Sequence, residues 1–245
     1  MLMQEESVPS SGFATTHWSV VLKAGDSTVE ECHKALAHLC ERYWYPLYVF
    51  VRRKGVDAAE AQDLTQAFFE DFLSRNLVTR ADPMRGRFRS FLLSSLENFL
   101  FNQWRRRTAQ KRGGGRVLLS LDAERAEARF TAEPLDADAP DVAYARQWAR
   151  TMLQQTAETL EAEWVRDGRQ DLFHELQAHL WGDPNLLPLS ELCLRFDMTA
   201  VNLRVTFHRL RQRYRELLRQ AVADTVADPA EVDDELRHLM RAVSR

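Results

Sequence analysis

Basic side chains recur at helical spacing in one stretch near the end of the chain. Four of them share one stripe of a helical pattern: Arg204, His208, Arg211 and Arg215. Residues 200–219 hold six arginines against a single acid. Such a stripe can contact nucleic-acid phosphates and base edges. The solvated face of an amphipathic helix has the same pattern, so the stripe alone leaves both interpretations open.

The residues around this stripe predict two helices with a tight break between them. A second stripe has spacings of four and three and faces a core: Leu203, Phe207, Leu210, Tyr214 and Leu217. Residues 190–196 predict a shorter helix, and Asp197 and Met198 lead to Thr199, a suitable N-cap. A short helix, a turn and a basic helix form the helix-turn-helix arrangement, whose second helix enters the major groove.

A strongly acidic helix is predicted earlier in the chain. Asp57 is its expected cap, and Leu64, Phe68, Phe69 and Phe72 are its inward residues. Its acids are Asp57, Glu60, Asp63, Glu70 and Asp71, and no basic residue follows before Arg75. DNA phosphates repel this face, so it fits either a basic protein partner or solvent. No His, Lys or glycine-rich loop converges here, which argues against carboxylate catalysis or a magnesium site.

The sign of the charge reverses between residues 80 and 116. Ten Lys and Arg stand against Asp82 and Glu97, a net charge of +8. The helix in this segment is predicted to turn Leu92, Leu93, Leu96, Phe99 and Leu100 inward. Its opposite side carries Phe91, Asn98, Phe101, Asn102 and Arg105, with Trp104 on the flank. Exposed aromatic rings among Asn and Arg suit stacking on unpaired bases beside bound phosphates.

Composition restricts the class of protein. The chain has 245 residues, a formal net charge of −3, 9 Gly and 8 Pro, and no long run of period-two alternation, so we expect an all-α fold. It has neither an eighteen-residue apolar run nor a signal pattern, so we expect a cytoplasmic protein with no membrane contact. The spacing of Cys32, His33, His38 and Cys40 does not fit zinc, and we expect no metal and no cofactor.

Three motifs in order resemble a bacterial RNA polymerase sigma factor of the extracytoplasmic-function (ECF) type. They read EAQDLTQAFFEDFL, then GRFRSFLLSSLENFLFNQWRRR, then a helix-turn-helix ending in FHRLRQRYRELL. The segments RYWYPLYVFVRRKG, ADPMRGRFRSFLL and KRGGG resemble the subgroup found in planctomycete-like bacteria. The resemblance covers about residues 15–112 and 146–220.

The resemblance implies two small helical domains joined by a flexible acidic linker. The expected parts are an N-terminal tail (1–26), sigma region two (27–112), a linker (113–145), sigma region four (146–220) and a C-terminal extension (221–245). Residues 120–141 hold seven acids against two arginines, a net of −5, and are expected to be extended. This linker is either a mimic of RNA on the polymerase or a plain tether.

The resemblance also implies partners and roles for particular residues. The expected partners are core RNA polymerase, through its clamp helices and flap, and promoter DNA, with an anti-sigma factor or another regulator as a further candidate. The implied polymerase-binding residues are Glu60, Asp63, Gln66 and Glu70. The implied −10 element residues are Arg85, Arg87, Phe88, Arg89, Asn98, Asn102, Arg105 and Arg106. The implied −35 element residues are Thr199, Asn202, Arg204, His208, Arg209 and Arg211.

The chain departs from the family pattern at two places: Gln103-Trp104 adds a bulky aromatic residue next to the basic run, and Asp197 stands where the family usually has Gly. Asp tolerates the left-handed conformation better than most residues, so the turn is expected to form with slight strain. The protein is expected not to be an enzyme, since bond formation belongs to the polymerase. The alternative function is a helix-turn-helix regulator that acts without binding core polymerase.

Overall fold

The computed structural model describes residues 42–75, 77, 87–109, 123–132, 138–181, 188–226 and 228–244. In chain order the helices are α1 (residues 42–53), α2 (Ala58–Ser74), α3 (Phe88–Ala109), α4 (Ala123–Ala132), α5 (Pro140–Arg166), α6 (Gln170–Trp181), α7 (Leu189–Arg195), α8 (Ala200–Ala223), a 3₁₀ turn (Pro229–Glu231) and α9 (Val232–Val243). All regular structure in these residues is helical, which confirms the all-α class. The Cys and His cluster of residues 32–40 and the N-terminal tail lie outside the described residues.

Capping residues, glycines and a proline define several of the helix ends. The Asp57 carboxylate accepts a hydrogen bond from the Glu60 backbone N–H at 2.9 Å, so it caps α2 as predicted. Gly55, at φ +85°, supplies the left-handed turn before it. Pro140 opens α5, and Gly168, at φ +67°, follows its last turn.

The larger core joins segments from both predicted domains. It contains α1, α2 and α3 together with the first half of α5, the end of α8 and helix α9. Trp148 of α5 and Leu239 of α9 are both 0% exposed within it, beside Tyr43 of α1. The Tyr144 hydroxyl donates to the Arg89 backbone carbonyl at 3.0 Å, which ties α5 to the start of α3.

The smaller core belongs to the helix-turn-helix part of the chain. It contains Leu160 from the second half of α5, Phe173 from α6, Leu192 from α7 and Leu203 with Leu210 from α8. Helix α5 is 27 residues long and therefore contributes to both cores. The larger core thus has residues on both sides of the expected boundary at residue 146, whereas the smaller core lies within residues 146–220. The domain limits remain predictions.

The acidic linker differs from its expectation, because Ala123–Ala132 forms helix α4 rather than an extended strand. Ala, Glu and Arg have high helix propensity. Contacts with α1 hold α4 in place. The Glu127 carboxylate accepts hydrogen bonds from the Tyr48 hydroxyl and from Arg52, with the Arg52 Nη2–Glu127 Oε1 distance at 2.7 Å. Burial favours the neutral carboxyl group, but the Arg52 and Tyr48 hydrogen bonds outweigh it and lower the pKa of Glu127. The rest of the linker between residues 110 and 137 lies outside the described residues.

Among the described helices none is both long and apolar enough to cross a membrane. The same residues hold no group of three or more His, Cys, Asp or Glu arranged to bind a metal ion.

Helix α9 contributes to stability through its buried face. We expect Leu239→Ala to lower the free energy of unfolding by about 2–5 kcal/mol, because it leaves a cavity in the larger core. The matched control is Met240→Ala, at a side chain that is 52% exposed, which should change it by about 0.5 kcal/mol or less. Urea unfolding followed by tryptophan fluorescence measures both values. Equal, small effects would mean that α9 does not belong to the core.

Candidate nucleic-acid interface

The predicted helix-turn-helix is present as helices α7 and α8. Between them Asp197 has φ 47°, the left-handed conformation that was expected where the resembled family has Gly. The Thr199 hydroxyl accepts a hydrogen bond from the Asn202 backbone N–H at 3.1 Å and caps α8 as predicted. Leu203 and Leu210 are buried at 0% and 1% exposure, so the inward stripe is confirmed at those positions.

The exposed sides of α8 carry most of the residues implied for the −35 element. Asn202, Arg204, His208, Arg209 and Arg211 are all exposed. The Arg211 guanidinium lies 4.4 Å from the centre of the Phe207 ring, which steadies it on the helix surface. These sides can present both hydrogen-bond donors and positive charge to a nucleic acid.

Arg213 differs from these arginines because a carboxylate of α5 holds it. Its Nη2 and Nε atoms lie 2.7 and 2.9 Å from the two oxygens of Glu163. The hydrogen bond from Arg213 lowers the pKa of Glu163. Arg213 therefore fastens α8 to α5 and is not part of the open basic face.

Helices α2 and α3 enclose a pocket of about 280 Å³ beside the residues implied for the −10 element. Its lining residues are Phe68, Asp71, Arg75, Leu77, Phe91, Ser95, Asn98, Phe99, Asn102, Gln103 and Arg106. The volume lies just below the ~300–1,000 Å³ that is typical of pockets for drug-sized ligands. Asn98, Asn102 and Arg106 are exposed at its mouth, whereas Phe91 is half-buried against Phe72 and Phe88 rather than exposed as predicted.

Two exposed aromatic rings of α3 lie outside the lining of this pocket. Phe101 is 58% exposed and Trp104 is 39% exposed. The Arg105 guanidinium lies 5.7 Å from the centre of the Phe101 ring. Flat apolar rings beside a cation form the kind of surface on which unpaired bases stack.

The remaining residues implied for the −10 element lie elsewhere or are covered. Arg85 lies outside the described residues. Phe88 is 2% exposed and packs edge-on against Tyr43, so its ring is a core residue in this arrangement and does not face a nucleic acid. Arg87 and Arg89 face helix α9, where both donate to the Glu235 carboxylate. Arg89 and Asn98 are nine residues apart in one helix, about half a turn out of phase, so they lie on opposite sides of α3.

The acidic face of α2 is the third surface. Asp63 and Glu70 are exposed, and Glu60 and Gln66 are half-buried. Gln66 donates to Glu70 at 3.4 Å across one helical turn. Negative charge and an amide therefore lie side by side on the surface, while Leu64, Phe68, Phe69 and Phe72 are buried as predicted.

Sequence reasoning missed two features of these surfaces. Val201 and Val205 are 66% and 44% exposed and flank Arg204 on the outward face of α8. Glu235 is 1% exposed, and its signal was available, because it lies between Val232 and Leu239 on the apolar stripe of α9. A carboxylate on an inward stripe indicates a buried basic partner.

Comparison of the chain with protein-family models, curated proteins and solved structures found no match.

His238 of α9 predicts that the free energy of unfolding depends on pH. Burial lowers the pKa of His238 below its ordinary value of 6.5, and the charge of Arg89 lowers it further, while Glu235 opposes both. Below about pH 6.5 the unfolded chain therefore binds a proton that the folded protein does not. The stability that neutral His238 contributes is present above that pH and is lost as the pH falls through the folded pKa.

We expect His238→Gln to reduce the loss of unfolding free energy between about pH 8 and pH 5.5. His208→Gln, at an exposed histidine, is the control and should keep the wild-type dependence. Urea unfolding at several pH values measures it. Parallel curves for wild type and His238→Gln would contradict this account.

Proposed function

We propose that this protein is a sigma factor that directs core RNA polymerase to promoters in the cytoplasm and helps to open the duplex. The observation that carries the proposal is the pocket between α2 and α3, with Asn98, Asn102 and Arg106 at its mouth and Phe91 and Phe99 in its wall. Amide groups can hydrogen-bond the edge of an unpaired base, and the rings can contact its face.

The energetics of opening favour this role for the pocket. Each base step that opens loses stacking worth roughly 1.4 kcal/mol. Phosphate contacts cannot recover that free energy, because arginines bind the phosphates of duplex and single strands alike. Contacts with base faces are worth about 1–3 kcal/mol per base, and they exist only when the strands are apart. The pocket and an exposed ring such as Phe101 would therefore favour the opened state.

The charges on the other two surfaces fit the other partners of a sigma factor. The acidic face of α2, with Asp63 and Glu70, would bind a basic surface such as the polymerase clamp helices, and phosphates would be repelled there. On α8, Arg204 would contact a base edge in the major groove. Val201 and Val205 beside it would contact thymine methyl groups. A helix-turn-helix regulator without polymerase contact would use α8 in the same way, but it would leave the pocket and the acidic face without a role.

The acidic face gives the first functional prediction. We expect Asp63→Lys to weaken binding to purified core polymerase by roughly a hundredfold, because reversing a charge at a complementary interface costs several kcal/mol. Glu158→Lys, at an exposed acid on α5, is the matched control and should bind normally. Affinity is measured by fluorescence anisotropy with labelled protein. Equal core affinity for the two variants would remove the proposed role of α2.

The pocket between α2 and α3 gives the second functional prediction. The double variant Asn98→Ala with Asn102→Ala should keep its affinity for core polymerase and lose promoter opening by roughly tenfold or more, since contacts to unpaired bases disappear. Glu97→Gln, an exposed change on the same helix outside the pocket, serves as the control. Permanganate reactivity of the −10 thymines measures opening, and a pre-opened template should restore part of the activity. Wild-type reactivity in the double variant would show that this face is only structural.

A further inference from the structure

The C-terminal helix places a buried carboxylate between two arginines of the basic segment. Glu235 of α9 is 1% exposed, and both Arg87 and Arg89 donate hydrogen bonds to it. The Arg89 Nε atom lies 2.6 Å from Glu235 Oε1, and Arg89 Nη2 lies 3.5 Å from Oε2. The two arginine side chains are 23% and 14% exposed. Both guanidinium groups are thus turned toward α9.

Arg89 is held on other sides as well. Its backbone carbonyl accepts the hydrogen bond from the Tyr144 hydroxyl at 3.0 Å. Its guanidinium lies 5.4 Å from the centre of the Trp148 ring, at the distance of a cation–π contact. The arrangement of α9, α5 and the start of α3 therefore decides where this guanidinium points.

Helix α9 can place Glu235 there only when its own apolar face is packed. Val232 and Leu239, three residues before and four after Glu235, are 3% and 0% exposed. A carboxylate on such a face is costly to bury unless cations and donors meet it. The docking of α9 and the engagement of the two arginines are therefore coupled.

A carboxylate and a phosphate compete for the same donors. The planar guanidinium group binds either anion through the same fork of N–H groups. Glu235 thus occupies the positions that phosphate oxygens would take at Arg87 and Arg89. We propose that α9 is an internal cover that keeps these two arginines from nucleic-acid phosphates until α9 moves away. The cover rests on the proposed function, whose regulation it describes: the free protein binds DNA weakly, and promoter binding requires the Glu235 contact to open.

The first test compares two variants that remove the same charge from the same helix. Glu235→Gln removes the covering carboxylate and keeps its shape, whereas Asp234→Asn changes an exposed neighbour that pairs with Arg237. The readout is the affinity of the free full-length protein for a fluorescent single-stranded oligonucleotide. Glu235→Gln should bind roughly tenfold tighter, the order of one hydrogen bond to a charged group. Asp234→Asn should remain within about twofold of wild type.

A second readout does not depend on DNA. Phenylglyoxal modifies accessible guanidinium groups, and mass spectrometry of the peptides reports each arginine separately. Arg87 and Arg89 should react slowly in wild type and in Asp234→Asn, and faster in Glu235→Gln. Arg204, which is exposed, should react alike in all three proteins.

Wild-type protein provides the decisive test if Glu235→Gln fails to fold. Backbone amides of residues 232–243 should exchange hydrogen faster in the complex with core polymerase and promoter than in the free protein, because α9 has left its site. Equal or slower exchange in the complex would overturn the cover.

The results separate the two proposals. If folded Glu235→Gln matches Asp234→Asn in DNA affinity and arginine reactivity, the cover is wrong, although transcription with core polymerase can still succeed. If Glu235→Gln exposes both arginines and binds the oligonucleotide more tightly, but the protein starts no transcripts with core polymerase, the cover stands and the sigma-factor proposal fails.

Discussion

Helix α5 has to fill two cores at once, and the rest of the arrangement depends on this constraint. Its first half buries Tyr144 and Trp148 against α1, α3 and α9, and its second half buries Leu160 against the helix-turn-helix. A continuous helix is stiff along its axis, so the position of one core fixes the other. The Glu163–Arg213 pair adds a charged link from the same helix to α8. Because this pair is partly solvated, it contributes little to the free energy of unfolding, and its main effect is to orient α8.

Acidic and basic side chains lie on different surfaces of the protein. Helix α2 shows acids, helix α3 shows amides and aromatic rings, and helix α8 shows arginines. A net charge of −3 conceals the separation, because the acidic and basic parts nearly cancel in the sum. Each surface suits a different partner chemistry, and Glu235 adds an internal partner for the two arginines at the start of α3. The proposed function brings the three outer surfaces together in one task, and the proposed cover makes that task conditional on the movement of α9.

Much of the helical pattern could be predicted from the sequence, because periodicity and caps act locally. The Asp57 and Thr199 caps and the buried stripe of α2 follow from neighbouring residues alone, whereas the left-handed Asp197 was expected from the family resemblance. Helix α4 was missed because the acidic composition of the segment outweighed its helix-forming residues, and because its anchors, Tyr48 and Arg52, are 79 and 75 residues away from Glu127. The burial of Phe88 and the engagement of Arg87 and Arg89 likewise depend on α1 and α9, which no local pattern places beside them. The charge of Glu235 on an apolar stripe was the one local sign of that contact.

The proposed function is that this chain makes core polymerase specific for promoters. The most direct measurement mixes purified core polymerase, the full-length protein and a library of random duplexes, and maps the 5′ ends of the transcripts. The account predicts transcripts that start at a fixed distance downstream of a shared pair of sequence elements and that vanish when the protein is omitted. Protein that shifts duplex DNA by itself and produces no such starts with core polymerase would contradict the account and favour a helix-turn-helix regulator.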